Sequence, residues 1–214
     1  MRLYDYAASA NCLKVRLALA LLDVPYERVA IDIFAGDTLT ADFGGLNPLR
    51  ETPVLELDDG RVLTQSNAIL WHVTEGGPLM PQDGFERALA LQWLAFEQER
   101  VMTGIGGARF RRMTGREALD PDGFRTRQAV GAAALDILDN HVRHRSWLVG
   151  DTPSLADLGV FAYAHVASDA GLDLAGRPSL SAWLGRIRAL PGYVNDLEAY
   201  PENARSGAGR SIYD

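Results

Sequence analysis

The sequence has few cysteines, few lysines and few basic residues overall, and the first and last of these shortages each exclude a class of protein. Cys12 is the one cysteine in 214 residues, which excludes an internal disulfide and is typical of a reducing compartment. Lys14 is the only lysine among 21 basic residues, an imbalance that looks like composition bias and predicts no function. A net charge of −7 and a pI near 5.1 argue against nucleic acid or an anionic membrane as the main partner.

Long apolar runs are missing as well. No uninterrupted apolar stretch is long enough to span a bilayer, so we expect no membrane partner. The first six residues already follow a strand pattern and do not resemble a signal peptide. We therefore expect a cytoplasmic protein.

The remaining composition is that of an ordinary globular protein, with 47% hydrophobic and 23% charged residues. A chain of 214 residues can hold one large domain or two small ones. Its organisation changes near residue 80, after a segment at 76–84 that is rich in glycine and proline. Strand and helix patterns alternate before this segment, and only helix patterns follow it.

The first part of the chain predicts a small sheet with helices. Residues 2–6 and 26–33 read as strands on either side of an apolar helix at about 11–22, which makes a βαβ unit. Because that helix is apolar on most faces, it should lie buried against the sheet. Residues 34–47 are mostly polar and predict a loop with at most a short helix.

A hairpin follows this loop. Pro53 cannot donate to a sheet ladder, so it belongs at the start of a strand, where a cis peptide bond is tolerated. The Asp58-Asp59-Gly60 turn returns the chain in a second strand, after which Ser66 is placed to cap a helix. Helix N-termini attract carboxylates, so this arrangement predicts a site for a small peptide-like anion.

The second part reads as helices throughout. Apolar residues recur at helical spacing at 85–112, 124–145, 155–170 and 180–190. Ser154 and Asp157 form a variant capping box, which makes them fold determinants rather than catalytic groups. The stretch at 203–210 is rich in glycine and small polar residues, and we expect it to be mobile.

Four segments in register resemble the cytosolic glutathione transferases. They are Ser9-Ala-Asn-Cys-Leu-Lys-Val-Arg-Leu-Ala-Leu, Thr52-Pro53, Gln65-Ser66-Asn-Ala-Ile and Trp147-Leu-Val-Gly-Asp-Thr-Pro-Ser-Leu-Ala-Asp-Leu. The resemblance implies an α/β plus all-α fold. A thioredoxin-like glutathione-binding domain would span 1–77, and an all-helical domain at 85–214 would form the second-substrate pocket. It also implies a two-fold homodimer.

Carried over residue by residue, the resemblance assigns a glutathione site. Gln65 and Ser66 would hold the γ-glutamyl end, and Thr52, ahead of a cis-Pro53, would pair its backbone with the cysteinyl unit. Ser9 matches the serine that bacterial serine-type members, similar to the theta and zeta classes, direct at the sulfur. A hydroxyl beside a helix N-terminus favours the thiolate, which lowers the thiol pKa from about 8.5 toward neutrality.

Three residues near this site leave alternatives open. Asn11 completes a Ser9-x-Asn11 pattern that resembles the nu class, in which the asparagine contributes to the sulfur site, but it is also a common helix-cap residue. Glu51 stands where many relatives carry a basic or neutral residue, and it would repel the glycyl carboxylate. Arg50 is the candidate to hold that carboxylate instead.

Other candidates belong to the helical part or lie outside the site. By resemblance, Met102, Phe110 and Met113 would face an apolar electrophile, and Arg109, from a basic cluster with Arg111, Arg112 and Arg116, would face an anionic group. Cys12 is better explained as a buried structural thiol than as a nucleophile. His141 and His144 lack a third ligand, so we expect no metal.

Three functions remain open from sequence. The first is a glutathione transferase that uses glutathione as co-substrate and a small hydrophobic electrophile as second substrate. The second is a nu-like, glutathione-dependent oxidoreductase that reduces disulfides or peroxides, as Asn11 allows. The third is a binding or interaction module of the same fold without enzymatic activity, as Glu51 allows.

Overall fold

The computed structural model describes residues 1–213. Its sheet has the strand order β2-β1-β3-β4, with β1 at Arg2–Asp5, β2 at Glu27–Ala30, β3 at Val54–Glu56 and β4 at Val62–Thr64. Strand β1 is parallel to β2 and antiparallel to β3, and β3 and β4 form an antiparallel pair. The predicted βαβ unit and the hairpin are therefore confirmed.

Three helices accompany the sheet, and they are α1 at Ala10–Leu21, α2 at Ala41–Leu46 and α3 at Ser66–Thr74. Helix α1 is buried along most of its length, as its apolar faces predict. Strand β2 ends earlier than predicted. Asp32 accepts hydrogen bonds from the backbone N–H groups of Phe34 and Ala35, and this turn carries the chain out of the sheet.

The long predicted helix at 85–112 is divided by hydrogen-bond pattern. Helix α4 at Gly84–Phe96 passes into a π-helical segment at Glu97–Gly106 and then into α5 at Gly107–Met113. A Cβ added to Gly104 would come within 2.5 Å of the Gly131 backbone nitrogen. The π-helical segment therefore packs unusually close to the helix at Pro121–His141, which contains Gly131. Apolar spacing over a segment this short does not separate α from π winding, because π winding moves each hydrogen-bond partner by only one residue.

The remaining helices complete the second part of the chain. They are α6 at Pro121–His141, α7 at Leu155–Ala164 and α8 at Pro178–Arg188, with short 3₁₀ turns at Val142–His144 and Ala167–Ala170. The last turns of the predicted helices at 124–145 and 155–170 are thus 3₁₀ rather than α. None of the helices within residues 1–213 has the length and apolar character needed to cross a membrane.

The capping box at the start of α7 is confirmed. Asp157 accepts hydrogen bonds from the backbone N–H and the hydroxyl of Ser154, at 2.9 and 3.0 Å. It also accepts from the Leu148 N–H and the indole N–H of Trp183, both at 2.9 Å. This one buried carboxylate therefore joins a loop, the start of α7 and helix α8.

The two parts of the chain share a core. Leu17 of α1 and Leu70 of α3 pack in the same buried cluster as Trp93 of α4 and Leu158 of α7. This is the α/β plus all-α architecture that the resemblance implied, with a thioredoxin-like sheet domain against a helical domain. The domain limits 1–77 and 85–214 stay a prediction.

The stretch at 203–210 is packed against both parts of the chain, although its composition predicted mobility. Ala204 is buried and its carbonyl oxygen accepts a hydrogen bond from the Arg116 guanidinium. The Arg210 N–H donates to the Phe34 carbonyl oxygen at 2.8 Å. Composition misses these contacts because they join parts of the chain that are far apart in sequence.

Candidate functional site

A cavity of about 430 Å³ lies between the two parts of the chain. Its sheet-domain wall contains Ser9, Asn11, Thr52 and Gln65, which come from the ends of different elements. The predicted glutathione-site residues are therefore brought together, although they span more than fifty positions in sequence. A small recess beside the cavity adds Pro53 and Ser66 to the same group.

Ser9 caps helix α1. Its hydroxyl oxygen accepts a hydrogen bond from the Cys12 N–H at 3.3 Å. Because that oxygen is occupied as an acceptor, the hydroxyl proton is left to donate to a ligand in the cavity. The helix dipole favours negative charge at the same place, so the geometry suits a thiolate.

Ser66 does not cap α3, which corrects the sequence prediction. Ser66 is the first residue of the helix, and the cap position is held by Gln65, whose side chain makes no capping hydrogen bond. The Ser66 hydroxyl instead donates to Asn11 Oδ1 at 3.2 Å and accepts from the Lys14 ammonium at 3.3 Å. The Ser66 hydroxyl therefore bonds to side chains of α1 in place of a backbone N–H at the start of α3.

The entry to β3 carries the predicted cis peptide bond between Thr52 and Pro53. Two nearby residues, Arg50 and Gln65, have positive φ angles of 57° and 69°. Such backbone is uncommon outside glycine and concentrates at ligand sites. Both residues line the cavity, so the irregular backbone and the cavity wall coincide.

Arg50 and Glu51 both line the cavity. The Arg50 guanidinium donates to the carbonyl oxygens of Thr38 and Thr40, each at 2.8 Å, and these contacts hold it at the cavity edge. Glu51 is exposed. A positive and a negative side chain therefore lie next to each other at the position expected for the glycyl end of glutathione.

The opposite wall is apolar and aromatic. Met102 and Phe110 line it, and the Phe110 ring stacks on that of Phe34 with centroids 6.3 Å apart. Their contact with a second substrate stays a prediction. Four tyrosines that the sequence did not indicate also line the cavity: Tyr6, Tyr163, Tyr200 and Tyr213. These tyrosines lie just after β1, in α7 and in the C-terminal segment, and no local sequence pattern connects them.

Two predicted pocket residues lie elsewhere. Arg109 is 3% exposed, and it donates to Asp169 and to the Ala8 carbonyl oxygen, both at 3.1 Å. It therefore joins the two domains and does not face an anionic group in the cavity. Met113 is 41% exposed at the end of α5 and does not line the cavity.

The phenols of the aromatic wall are neutral at physiological pH. Burial raises the pKa of Tyr6 and Tyr163 well above the usual value. Arg116 lies over the rings of Phe34 and Phe110 and donates to a carbonyl oxygen outside the cavity. This wall therefore presents uncharged groups.

Cys12 lies behind Ser9 and is fully buried. Its sulfur accepts a hydrogen bond from the Tyr6 N–H at 3.4 Å, and burial raises the pKa of the thiol to about 12. A raised pKa leaves almost no thiolate at neutral pH, and the thiolate is the reactive form. The geometry favours the structural interpretation of this residue.

Alkylation tests that interpretation. We expect the folded protein to resist iodoacetamide at about pH 8 and the unfolded protein to react with one equivalent, as measured by mass spectrometry. Cys12→Ala should retain the activity of the wild type. Rapid alkylation of folded protein, accompanied by loss of activity, would instead assign Cys12 to the reaction.

His141 and His144 do not form part of a metal site in the structure. His141 Nε2 lies 3.0 Å from the Leu148 carbonyl oxygen, and its ring packs against Trp93. Within residues 1–213 no three histidine, cysteine, aspartate or glutamate side chains come together in a way that could hold a metal ion.

Sequence reasoning missed one ion pair beside the site. The Lys14 ammonium lies 2.8 Å from Glu97 Oε2, and both side chains are fully buried. The sequence did contain a signal, because a lysine inside a largely apolar, buried helix requires a buried partner. The partner, Glu97, could not be identified from the sequence because it lies 83 residues after Lys14.

The strand order, the cis-proline before β3 and the cavity wall made by helices together define a thioredoxin-like protein with a second, all-helical domain. Residues 8–75 match the model of the glutathione S-transferase N-terminal domain, and residues 121–202 match that of the C-terminal domain. The chain therefore belongs to the glutathione S-transferase family. Its members use glutathione, and the family supports a glutathione-dependent transferase or isomerase activity.

Individual relatives agree with this assignment. The chain is 36% identical over 155 residues to glutathione S-transferase stcT of Emericella nidulans, covering 71% of each protein. It is 29% identical to maleylacetoacetate isomerase of Dictyostelium discoideum, covering 94% of this chain and 93% of that one. A crystal structure of a possible glutathione S-transferase from Rhodopseudomonas palustris superimposes with a TM-score of 0.89 at 38% identity, covering 92% and 98% of the two chains.

Proposed function

We propose that this protein conjugates glutathione to a small, uncharged, hydrophobic electrophile, with Ser9 as the residue that stabilises the attacking thiolate. The observation that carries the proposal is the position of Ser9. It lies at the N-terminus of α1, in a cavity that also contains Thr52 and an aromatic wall. Its hydroxyl oxygen accepts from the Cys12 N–H, and the hydroxyl keeps a proton that it can donate to a ligand.

Glutathione would lie along the sheet-domain wall. Its γ-glutamyl end would reach Gln65 and Ser66, and its cysteinyl unit would pair with the backbone of Thr52 beside cis-Pro53. Arg50 would bind the glycyl carboxylate, with Glu51 reducing the attraction. The thiol proton is released to solvent, and the thiolate then forms a C–S bond with the electrophilic carbon. With an aryl halide, the carbon–halogen bond breaks and halide leaves with the bonding electrons.

The composition of the cavity supports an uncharged second substrate. Among the cavity-lining residues within 1–213, Arg50 carries the only basic side chain, and it lies beside Glu51. An anionic substrate would therefore find little compensating charge. The isomerases among the relatives act, by name, on a carboxylic acid, so this wall favours conjugation over that isomerisation.

Glutathione-dependent reduction of disulfides is a second candidate, and the position of Asn11 favours it. Asn11 lines the cavity beside Ser9, and its Oδ1 accepts from the Ser66 hydroxyl. The Nδ2 hydrogens are then the part of the amide that can donate to sulfur. Asn11→Ala should impair disulfide reduction more than conjugation if this reaction is the main one.

The proposal extends to assembly and to biological role. A two-fold homodimer is supported by an apolar groove between α3 and α4, which contains Trp71 and Leu94 and the 58% exposed Leu91. That groove would place the sheet domain of one subunit against the helices of the other. A cytoplasmic location and a role in detoxification are consistent with a thiolate-forming site.

Calorimetric titration with glutathione, followed by a conjugation assay, tests the function. We expect glutathione to bind and an uncharged aryl halide to be conjugated faster than a carboxylated analogue of equal reactivity. Faster reduction of a mixed disulfide than conjugation would favour the second candidate. Failure to bind glutathione would leave a binding or interaction module without this chemistry.

A further inference from the structure

The Lys14 and Glu97 ion pair lies directly behind the proposed γ-glutamyl site. Lys14 comes from α1 and Glu97 from the start of the π-helical segment, and their side chains are fully buried. Burying two charges costs several kcal/mol per ion, and an apolar pair of similar volume often packs at least as well. Packing alone therefore does not account for charged groups here.

The positive end of the pair meets Ser66. The Lys14 ammonium lies 3.3 Å from Ser66 Oγ and 3.3 Å from Asn67 Oδ1. Because it donates to the Ser66 oxygen, the Ser66 proton must be given to another acceptor. That acceptor is Asn11 Oδ1 in this structure, and an arriving carboxylate could take its place.

The negative end of the pair, Glu97, holds the side-chain amide of Gln98 in place. Glu97 Oε2 accepts from Gln98 Nε2 and from Asn67 Nδ2, both at 2.9 Å. With its Nε2 committed to Glu97, Gln98 has its carbonyl oxygen left to accept from a ligand. Gln98 lines both the cavity and the recess that contains Gln65 and Ser66.

The γ-glutamyl end of glutathione is itself a zwitterion, with an α-carboxylate and an α-ammonium on one carbon. We propose that Lys14 and Glu97 are positioning residues that select this zwitterion, Lys14 by orienting the Ser66 hydroxyl toward the carboxylate and Glu97 by orienting the Gln98 carbonyl toward the ammonium. The inference rests on the proposed function. It assigns the two charges of the ligand to opposite ends of one buried ion pair.

Ligand truncation separates this role from a purely structural one. Cysteinylglycine lacks the γ-glutamyl unit but keeps the thiol and the glycyl carboxylate. In the variant Lys14→Met with Glu97→Gln, we expect glutathione affinity to fall about tenfold or more, because hydrogen bonds to charged ligand groups lose their orientation. Cysteinylglycine affinity, measured by the same titration, should remain within about twofold of the wild type, since the groups that the pair orients have no partner in this ligand.

Two matched variants serve as controls. Trp183→Phe removes a buried hydrogen bond in the helical domain without touching the cavity, so the affinities for both ligands should stay at the wild-type values. Lys14→Arg keeps the positive charge and should retain most of the preference for glutathione over cysteinylglycine. Behaviour of Lys14→Arg like that of the double variant would contradict the charge argument.

Gln98→Ala provides a test that does not depend on the double variant folding. We expect this variant to bind glutathione about tenfold more weakly than the wild type does. An analogue of glutathione without the α-amino group should bind the variant and the wild type equally tightly. Equal losses for both ligands, or no loss for either, would overturn the inference. So would a double variant that loses glutathione and cysteinylglycine affinity in the same proportion. If the wild type binds no glutathione, the proposed function fails first, and this inference fails with it.

Discussion

Replacing Ser9 with alanine is expected to lower kcat/KM for conjugation about 100-fold or more. The hydroxyl is the donor placed for the thiolate at the N-terminus of α1, and removal of one such donor at a developing or stabilised anion typically costs two to three orders of magnitude. Glutathione binding should change little, because Thr52, Gln65 and Ser66 hold the rest of the tripeptide. Steady-state kinetics with saturating electrophile measure the effect.

The pH dependence of the same variant identifies its cause. In the wild type the rate should rise with a pKa below that of a free thiol, since Ser9 favours the charged form. In Ser9→Ala the midpoint should move up toward about 8.5, so the loss of rate is largest at low pH and shrinks as pH rises. Ser9→Thr keeps a hydroxyl and the helix cap, and it should retain much of the activity. An unchanged midpoint in Ser9→Ala would assign thiolate stabilisation to another group, with Asn11 the first to examine.

The parts of this site that were predictable from sequence are those set by neighbouring residues. Pro53 indicated a possible cis bond because the restriction on an X-Pro bond is local. The Ser154 and Asp157 capping box was visible for the same reason, since its two members are three residues apart. The arrangement of the fold followed from apolar periodicity and from the resemblance of four segments.

The parts that were missed depend on contacts between distant elements. Ser66 was predicted as a cap because its helix begins there. Its hydroxyl instead forms hydrogen bonds with Lys14 and Asn11, which lie more than fifty residues earlier in the sequence. Arg109 was predicted to face the cavity, but it lies in the domain interface because it donates hydrogen bonds to Asp169 and Ala8. A polar side chain can have several possible hydrogen-bond partners, and the tertiary structure decides which of them it contacts. A local sequence pattern does not contain that information.

Asp157→Ala is expected to lower the free energy of unfolding by about 3–5 kcal/mol. The carboxylate is fully buried and accepts from Leu148, Ser154 and Trp183, so its removal leaves several buried donors without an acceptor, each at a cost of about 1–3 kcal/mol. For a protein of this size the midpoint of thermal unfolding should fall by roughly 6–20 °C. Chemical denaturation followed by circular dichroism measures the free energy directly.

Ser154→Ala separates the cap from the rest of this network. It removes only the hydroxyl contact to Asp157, so its cost should be about 1 kcal/mol, the usual value for a helix cap. Trp183→Phe should fall between the two variants, because it removes one donor and leaves the others paired. If Asp157→Ala cost no more than Ser154→Ala, capping alone would explain the residue. A clearly larger cost would mean that one carboxylate holds the 148 loop and α8 to the start of α7.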